Sequence, residues 1–258
     1  MIYEYPQEKR AELLPLFQGI EYLDALALGV LLSELGELFV DDLDKPKNAI
    51  LIYEEMMIVV FGGSGEGETA KELFSKMPKR AAFIFPNKKW EELIKENYGD
   101  KLRSQTRTKV SSANLDLKHI RKIKSNIPDG YEIVKINNEI IDMFEENTIK
   151  KINRFCGSVD KFRKDGFGFC ALYDGKIAAE ISNGGISYKN SFEIDIETHP
   201  DHRRKGLATL LAAFMIEYSL ENGLDPRWDA ANKPSADLAF KLGYTDPEEY
   251  EVLIYIEE

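Results

Sequence analysis

The chain has 258 residues, 43% hydrophobic and 31% charged, a globular composition long enough for one large domain or two small ones. Its formal net charge is −11, of which −9 lies in residues 131–258; this disfavours nucleic acid and anionic membrane and leaves a small anion held locally, or a cationic substrate. Two cysteines without C-x-x-C spacing and three histidines give no metal site, and the absence of a signal pattern or an uninterrupted apolar span predicts a cytoplasmic chain.

From Gln7 to Phe39 apolar residues recur at three and four, which predicts helix, with Leu23, Leu26, Val30 and Leu31 on one face. "NAILIYEEMMIVVFGG" reads as two strands joined at Glu54-Glu55. "TAKELFSKM" predicts a helix, "AAFIF" a strand and "KKWEELIKENYG" a helix closed by Gly99. "LDLKHIRKIKSNIPDG" predicts a helix and then a breaker at Pro128-Asp129-Gly130, where the domain boundary is placed. Residues 1–127 are thus a small mixed α and β domain, and residues 128–258 a second domain.

In that second domain "YEIVKI" is a strand and Asn138 to Phe155 a helix. "GFGFCALYDGKIAAEIS" is a hairpin turning at Asp174-Gly175. "SFEIDIET" alternates as one strand, so Glu193, Asp195 and Glu197 share a face unless a bulge intervenes. A helix runs from near Gly206 to Asn222-Gly223, with Leu207, Leu210, Leu211, Phe214 and Tyr218 as its buried stripe. "PRWDAA" is a strand, "PSADLAFKLG" a helix and "EEYEVLIYIEE" the closing strand. The fold class is α+β.

Two stretches have the look of anion sites. "GGSGEGET", Gly62 to Thr69, has nucleotide-loop glycine spacing, but Glu68 stands where a phosphate-binding lysine is needed. It reads as a strand-to-helix turn. "HPDHRRKGLATLLAAF", His199 to Phe214, is different. Arg203, Arg204 and Lys205 surround the N–H groups and positive dipole end of a helix, while Gly206 and the small Ala208 let a ligand approach the backbone. That combination suits a diphosphate.

Arg203-x-x-Gly206-x-Ala208 resembles the coenzyme A signature of the GNAT-superfamily N-acetyltransferases. "THP" before the loop, the helix after it, Asn232 on the next strand's exit and the closing "KLGY" agree in order. "EIDIETHPDHRRKGLAT" and "PRWDAANKPSADLAFKLGY" are similar to the branch typified by the zwittermicin A resistance acetyltransferase. The resemblance implies a GNAT fold, mixed and mostly antiparallel, for the second domain, with the first a degenerate GNAT-like unit that shapes the acceptor cleft or a homodimer.

It further implies acetyl-CoA as donor and the amine of a small molecule, such as an antibiotic or metabolite, as acceptor. Backbone groups of Ile196, Glu197 and Thr198 would meet the pantetheine arm. Arg203, Arg204, Lys205, Gly206, Leu207 and Ala208 would hold the pyrophosphate, with Asn232 and Ser235 adding to the cofactor site. An ammonium must lose a proton before it attacks, so Glu193, Asp195 and Glu197 are candidate bases, and Asp229 a further one. Many family members carry a proton-donating tyrosine seven residues after the asparagine. Here that position is Ala239, so Ser235 or water would protonate the thiolate. The same alanine keeps open a non-catalytic acyl-CoA-binding module, and an enzyme acting on protein amines is a third alternative. His199 is expected near the cofactor, and Cys156 and Cys170 as packing residues rather than nucleophiles.

Overall fold

The computed structural model describes residues 1–257, and the chain divides into two compact units. Met1–Arg107 and the segment from Tyr250 onward form the first, Thr108–Glu249 the second. The breaker at Pro128 lies inside the second unit, where Tyr131 N donates back to Pro128 O and turns the chain into a strand.

The first unit contains β1 (Tyr3–Glu4), α1 (Asp24–Leu31), β2 (Glu37–Val40), β3 (Asn48–Tyr53), β4 (Ile58–Gly63), α2 (Glu68–Glu72), β5 (Arg80–Ile84) and α3 (Lys88–Tyr98). Its strands lie in the order β1-β2-β3-β4-β5, with β4 and β5 parallel and the other pairs antiparallel. Trp90, Leu93 and Ile94 of α3 pack with Phe61, Leu73 and Phe83 in one core. The helical pattern from Gln7 to Phe39 is not one helix. It resolves into a 3-10 segment, Gln7–Phe17, then α1 and β2. Pro15 removes a helical donor, and Gly19 and Leu23 take left-handed φ values of 92° and 52°. After α1 the turn at Ser33 to Gly36 is fixed by buried Arg10, which donates to the carbonyls of Ser33, Leu35 and Gly36 at 3.1, 2.7 and 2.7 Å.

The glycine-rich turn from Gly62 to Thr69 has its polar groups occupied from within. Gly63 O accepts from Asn87 Nδ2 and Trp90 Nε1 at 2.9 and 3.1 Å, and Gly65 N donates to Asn48 Oδ1 at 2.8 Å. Its helix, α2, has only five residues. It is a structural turn.

Along the chain follow β6 (Leu102–Ser111), α4 (Leu117–Lys124), β7 (Tyr131–Lys135), α5 (Asn138–Asp142), α6 (Glu146–Cys156) and α7 (Val159–Asp165). Then come β8 (Gly168–Tyr173), β9 (Lys176–Ser182), β10 (Ser191–Glu193), β11 (Asp195–Thr198), α8 (Leu207–Glu221), β12 (Asp225–Ala230), α9 (Lys233–Leu242) and β13 (Thr245–Ile256). Within the second unit one sheet has the order β11-β9-β8-β7, all antiparallel, while β12 pairs antiparallel with the end of β6 and parallel with β10. The last residues of β13, Leu253–Ile256, pair antiparallel with β5 in the first unit.

The helix expected over Asn138 to Phe155 is two, because Asn137 caps only the short α5 and the chain re-enters helix at Glu146. Gly157 at φ 90° then ends α6, and Ser158 caps α7 through a 3.1 Å bond from Lys161 N. The central helix α8 departs from a single stripe. Leu207, Leu211, Ala212, Ala213, Met215 and Ile216 are all sealed from solvent, so several faces are covered. Phe214 and Tyr218 are half-buried instead, beneath the ammonium groups of Lys124 and Lys135 at 4.1 and 4.2 Å.

Candidate active site

"SFEIDIET" is not one strand. It leaves one sheet and joins another, with the break at Ile194. Before the break Glu193 stands opposite Arg227 of β12, and Ile194 N donates to Arg227 O at 3.3 Å. After it Asp195 stands opposite Ser182 of β9 and Glu197 opposite Glu180. The two sheets therefore fork at Ile194.

The fork exposes one edge of β11. His199 N donates to Ala178 O at 2.9 Å, continuing the antiparallel register. Alternation then points the N–H groups of Asp195 and Glu197 at β9, and those of Ile196 and Thr198 at the open edge. Of the three residues expected to meet the pantetheine arm, Glu197 thus has its backbone directed the other way. Thr198 O accepts from Arg203 Nε at 3.1 Å, which ties the basic loop to that edge.

The loop itself has the properties of an anion cradle. Arg204 and Gly206 adopt φ values of 61° and 82°, and no side chain caps the 15-residue α8. A Cβ added at Gly206 would meet nothing within 4 Å, so the backbone is open to a ligand. Arg203, Arg204, Lys205 and Gly206 are exposed, Ala208 is half-buried, and buried Leu207 can offer only its backbone. Lys205 lies 5.8 Å from the rings of both Tyr131 and Tyr173, and Tyr131 OH is 2.7 Å from His202 Nδ1. These contacts pack the loop against the ends of β7 and β8. His199 accepts from Asp201 N at 3.4 Å and shapes the turn into the loop.

The acidic residues separate. Glu193 acts electrostatically on the buried Tyr244 phenol, together with Asp225, and so lies on the β12 side of the fork. Asp195 and Glu197 lie on the other side, around the ammonium of Lys151 from α6, with contacts of 2.9 and 3.1 Å. Glu180 of β9 completes the set at 3.0 Å. Burial pulls the Lys151 ammonium down, but Asp195 and Glu180 outweigh it and hold its pKa above the ordinary lysine value. Burial pushes the Glu180 carboxyl up, against the lowering effect of Lys151. Lys151, Glu180 and Asp195 form the polar floor of a pocket walled by Phe144, Phe155 and Phe162. The volume enclosed is about 10 Å³, room for one water.

Asn232 and Ser235 have structural partners. Asn232 Oδ1 accepts from Ser235 N at 3.0 Å and caps α9, while Ser235 Oγ accepts from Trp228 Nε1 at 3.1 Å. Ala239 is wholly buried in the core. Tyr244 is no substitute donor, since its hydroxyl is sealed against Pro226 O at 2.7 Å and burial pushes its phenol up. Asp229 stands opposite Lys109 of β6.

Sequence reasoning missed Lys151 and Glu180. A charged residue among the apolar ones of "KIAAEIS" was the available signal. Ala178, on the same face of β9 as Glu180, is buried, so that face is covered and a charge on it needs a partner.

A forked sheet, an open strand edge and an uncapped helix behind a basic loop define an acyl-transfer scaffold. The model of the GNAT acetyltransferase family matches residues 14–253, and the chain belongs to that family of N-acetyltransferases. It is 26% identical over 225 residues to the uncharacterized N-acetyltransferase YdfB of Bacillus subtilis, covering 84% of each chain. Among solved structures it resembles a GCN5-related N-acetyltransferase-like protein from Streptococcus suis, with a TM-score of 0.76, 26% identity, and 96% and 98% of the two chains covered. A tandem GNAT protein from the clavulanic acid biosynthesis pathway shares the fold, with a TM-score of 0.60, 13% identity and 98% of each chain covered. Among the described residues no helix is long and apolar enough to cross a membrane.

Proposed function

We propose that this N-acetyltransferase takes its acetyl group from acetyl-CoA and transfers it by direct attack to the amine of a small cationic molecule. The observation that carries the reading is the fork at Ile194, which sets an unpaired strand edge beside an acidic, aromatic-walled pocket. Acetyl-CoA supplies an activated thioester. The N–H groups of Ile196 and Thr198 would hold its pantetheine arm, and one of them would polarise the thioester carbonyl. The first-turn N–H groups of α8, with Arg203, Arg204 and Lys205, would hold the pyrophosphate. The carboxylates around Lys151 would draw an ammonium to the mouth of the pocket, and one of them would take its proton, directly or through the one water the pocket has room for. Water, or the Ser235 hydroxyl, which accepts from Trp228 and keeps its own proton to donate, would protonate the leaving thiolate, since Ala239 is buried. The zwittermicin-like motifs favour an amine-bearing antibiotic or metabolite as acceptor.

The test is thiol release from acetyl-CoA by the purified protein across a panel of polyamines, aminoglycosides, amino sugars and lysine-bearing peptides. Turnover is expected with at least one cationic small molecule. Turnover with peptides alone would move the reading to protein amines. The buried Ala239 favours a second reading, a binding module without turnover; acetyl-CoA binding in a calorimeter with no thiol release from any amine selects it.

A further inference from the structure

Three carboxylates share one ammonium in the pocket, and they are not equivalent. The Glu197 side chain is 61% exposed, Asp195 27% and Glu180 13%. Glu197 is also absent from the pocket lining, whereas Glu180 and Asp195 both belong to it. Glu180 Oε1 is held by Lys151, but Oε2 has only a long 3.4 Å contact from the Thr148 hydroxyl. One carboxylate oxygen is therefore anchored and the other retains capacity to accept.

We propose that Glu180 receives the proton of the acceptor ammonium, and that Lys151 is the positioning residue that keeps it charged and oriented. This rests on the acetyl-transfer reading above and assigns one residue within it. The ammonium at the pocket mouth passes a proton to Glu180 through the one water the pocket has room for, leaving a free amine and a neutral carboxyl. The amine lone pair forms the C–N bond at the thioester carbonyl, the C–S bond breaks, and sulfur leaves with the electron pair. The proton lost from nitrogen as the amide forms goes through water to the thiolate, and Glu180 returns its own proton to solvent.

The charge arrangement explains why a lysine is needed. Around Glu180 stand Lys151 from α6, Asp195 and Glu197 from β11, and the buried thiol of Cys170 from β8; the rest of the pocket lining adds the hydroxyls of Thr148 and Ser182 and no further titratable group. Burial and both neighbouring carboxylates favour the protonated form of Glu180, and Lys151 alone opposes them. A carboxyl that is already protonated accepts nothing. A carboxylate whose pKa is raised only part of the way is a stronger base than an exposed one.

The experiment measures the pH dependence of kcat/KM with the best amine of the panel, for wild type and for E180Q, K151M and K151R. E180Q is expected to lose about a hundredfold or more at neutral pH and to lose the acid limb of the profile, with acetyl-CoA affinity in a calorimeter within about twofold. K151M is expected to move the acid limb to higher pH by about 1 to 3 units, and K151R to restore it. K151R carries the test if the methionine variant does not fold, because a guanidinium keeps the charge; a limb displaced in K151R by the same interval of about 1 to 3 pH units would overturn the role of Lys151. Wild-type turnover with an acid limb unchanged in E180Q overturns the assignment alone, as does a limb lost in D195N but kept in E180Q. Absence of turnover in wild type overturns the acetyl-transfer reading instead.

Discussion

Cys156 and Cys170 are buried, and burial pushes both thiols up; at Cys170 the Glu180 carboxylate adds to the effect. A thiolate is the nucleophilic form, so neither residue is suited to carry an acyl group. Native protein incubated with iodoacetamide at pH 8 is therefore expected to stay unmodified by mass spectrometry, and to gain both adducts once denatured. Rapid alkylation of the native chain with loss of transfer activity would point to a covalent acyl-enzyme instead of direct attack. The same scale shows what sequence can and cannot convey about the site. The cradle is legible because Arg203, Arg204, Lys205, Gly206 and Ala208 are neighbours in the chain. Lys151 and Glu180 meet only through the packing of α6 on the sheet, and nothing in either local sequence names the other as partner.

At the scale of elements the start of α8 offers a controlled test of the cradle. Gly206 sits at φ 82° and Gly223, after the other end of the helix, at φ 67°; a Cβ at either would meet nothing within 4 Å. Alanine at either position thus carries only the backbone cost of a left-handed residue, about 1 to 2 kcal/mol. G206A and G223A are expected to lower Tm by similar amounts, whereas only G206A weakens acetyl-CoA binding in a calorimeter, by several-fold or more. Equal affinity losses in both would take the pyrophosphate away from this loop. Element boundaries were the least readable part of the fold. Hairpins and capped helices follow from local turn residues, as at Asp174-Gly175, Asn87 and Asp116. The fork does not, because "SFEIDIET" alternates without interruption and changes partner only where β9 and β12 compete for it. The run from Gln7 fails in part through Pro15 and Gly19, local breakers that the periodicity overrode, and in part through Arg10, which bonds carbonyls more than twenty residues away that local periodicity carries no trace of.

For the whole molecule, the net charge of −11 acts in opposite senses on the two proposed substrates. Acetyl-CoA is a polyanion that must approach a negative protein to reach a small basic loop. The acceptor is a cation drawn by the same field towards the carboxylates around Lys151. The screening length is about 30 Å at 10 mM salt and about 8 Å at 150 mM, so the molecule-wide field reaches an approaching ligand only at low salt. Contacts inside the loop and the pocket are shorter than either length and change less. Raising salt from 10 to 150 mM is therefore expected to speed association of acetyl-CoA in stopped-flow, by several-fold, and to raise KM for the cationic amine. Charge-reversal of two exposed acids of the first unit, Glu8 and Glu55, should reduce both salt effects without altering kcat, because neither residue belongs to the fork, the loop or the pocket lining. If acetyl-CoA association instead slows with salt in parallel with the amine, the basic loop dominates the field at long range, and the acidic background plays no part in sorting the two substrates.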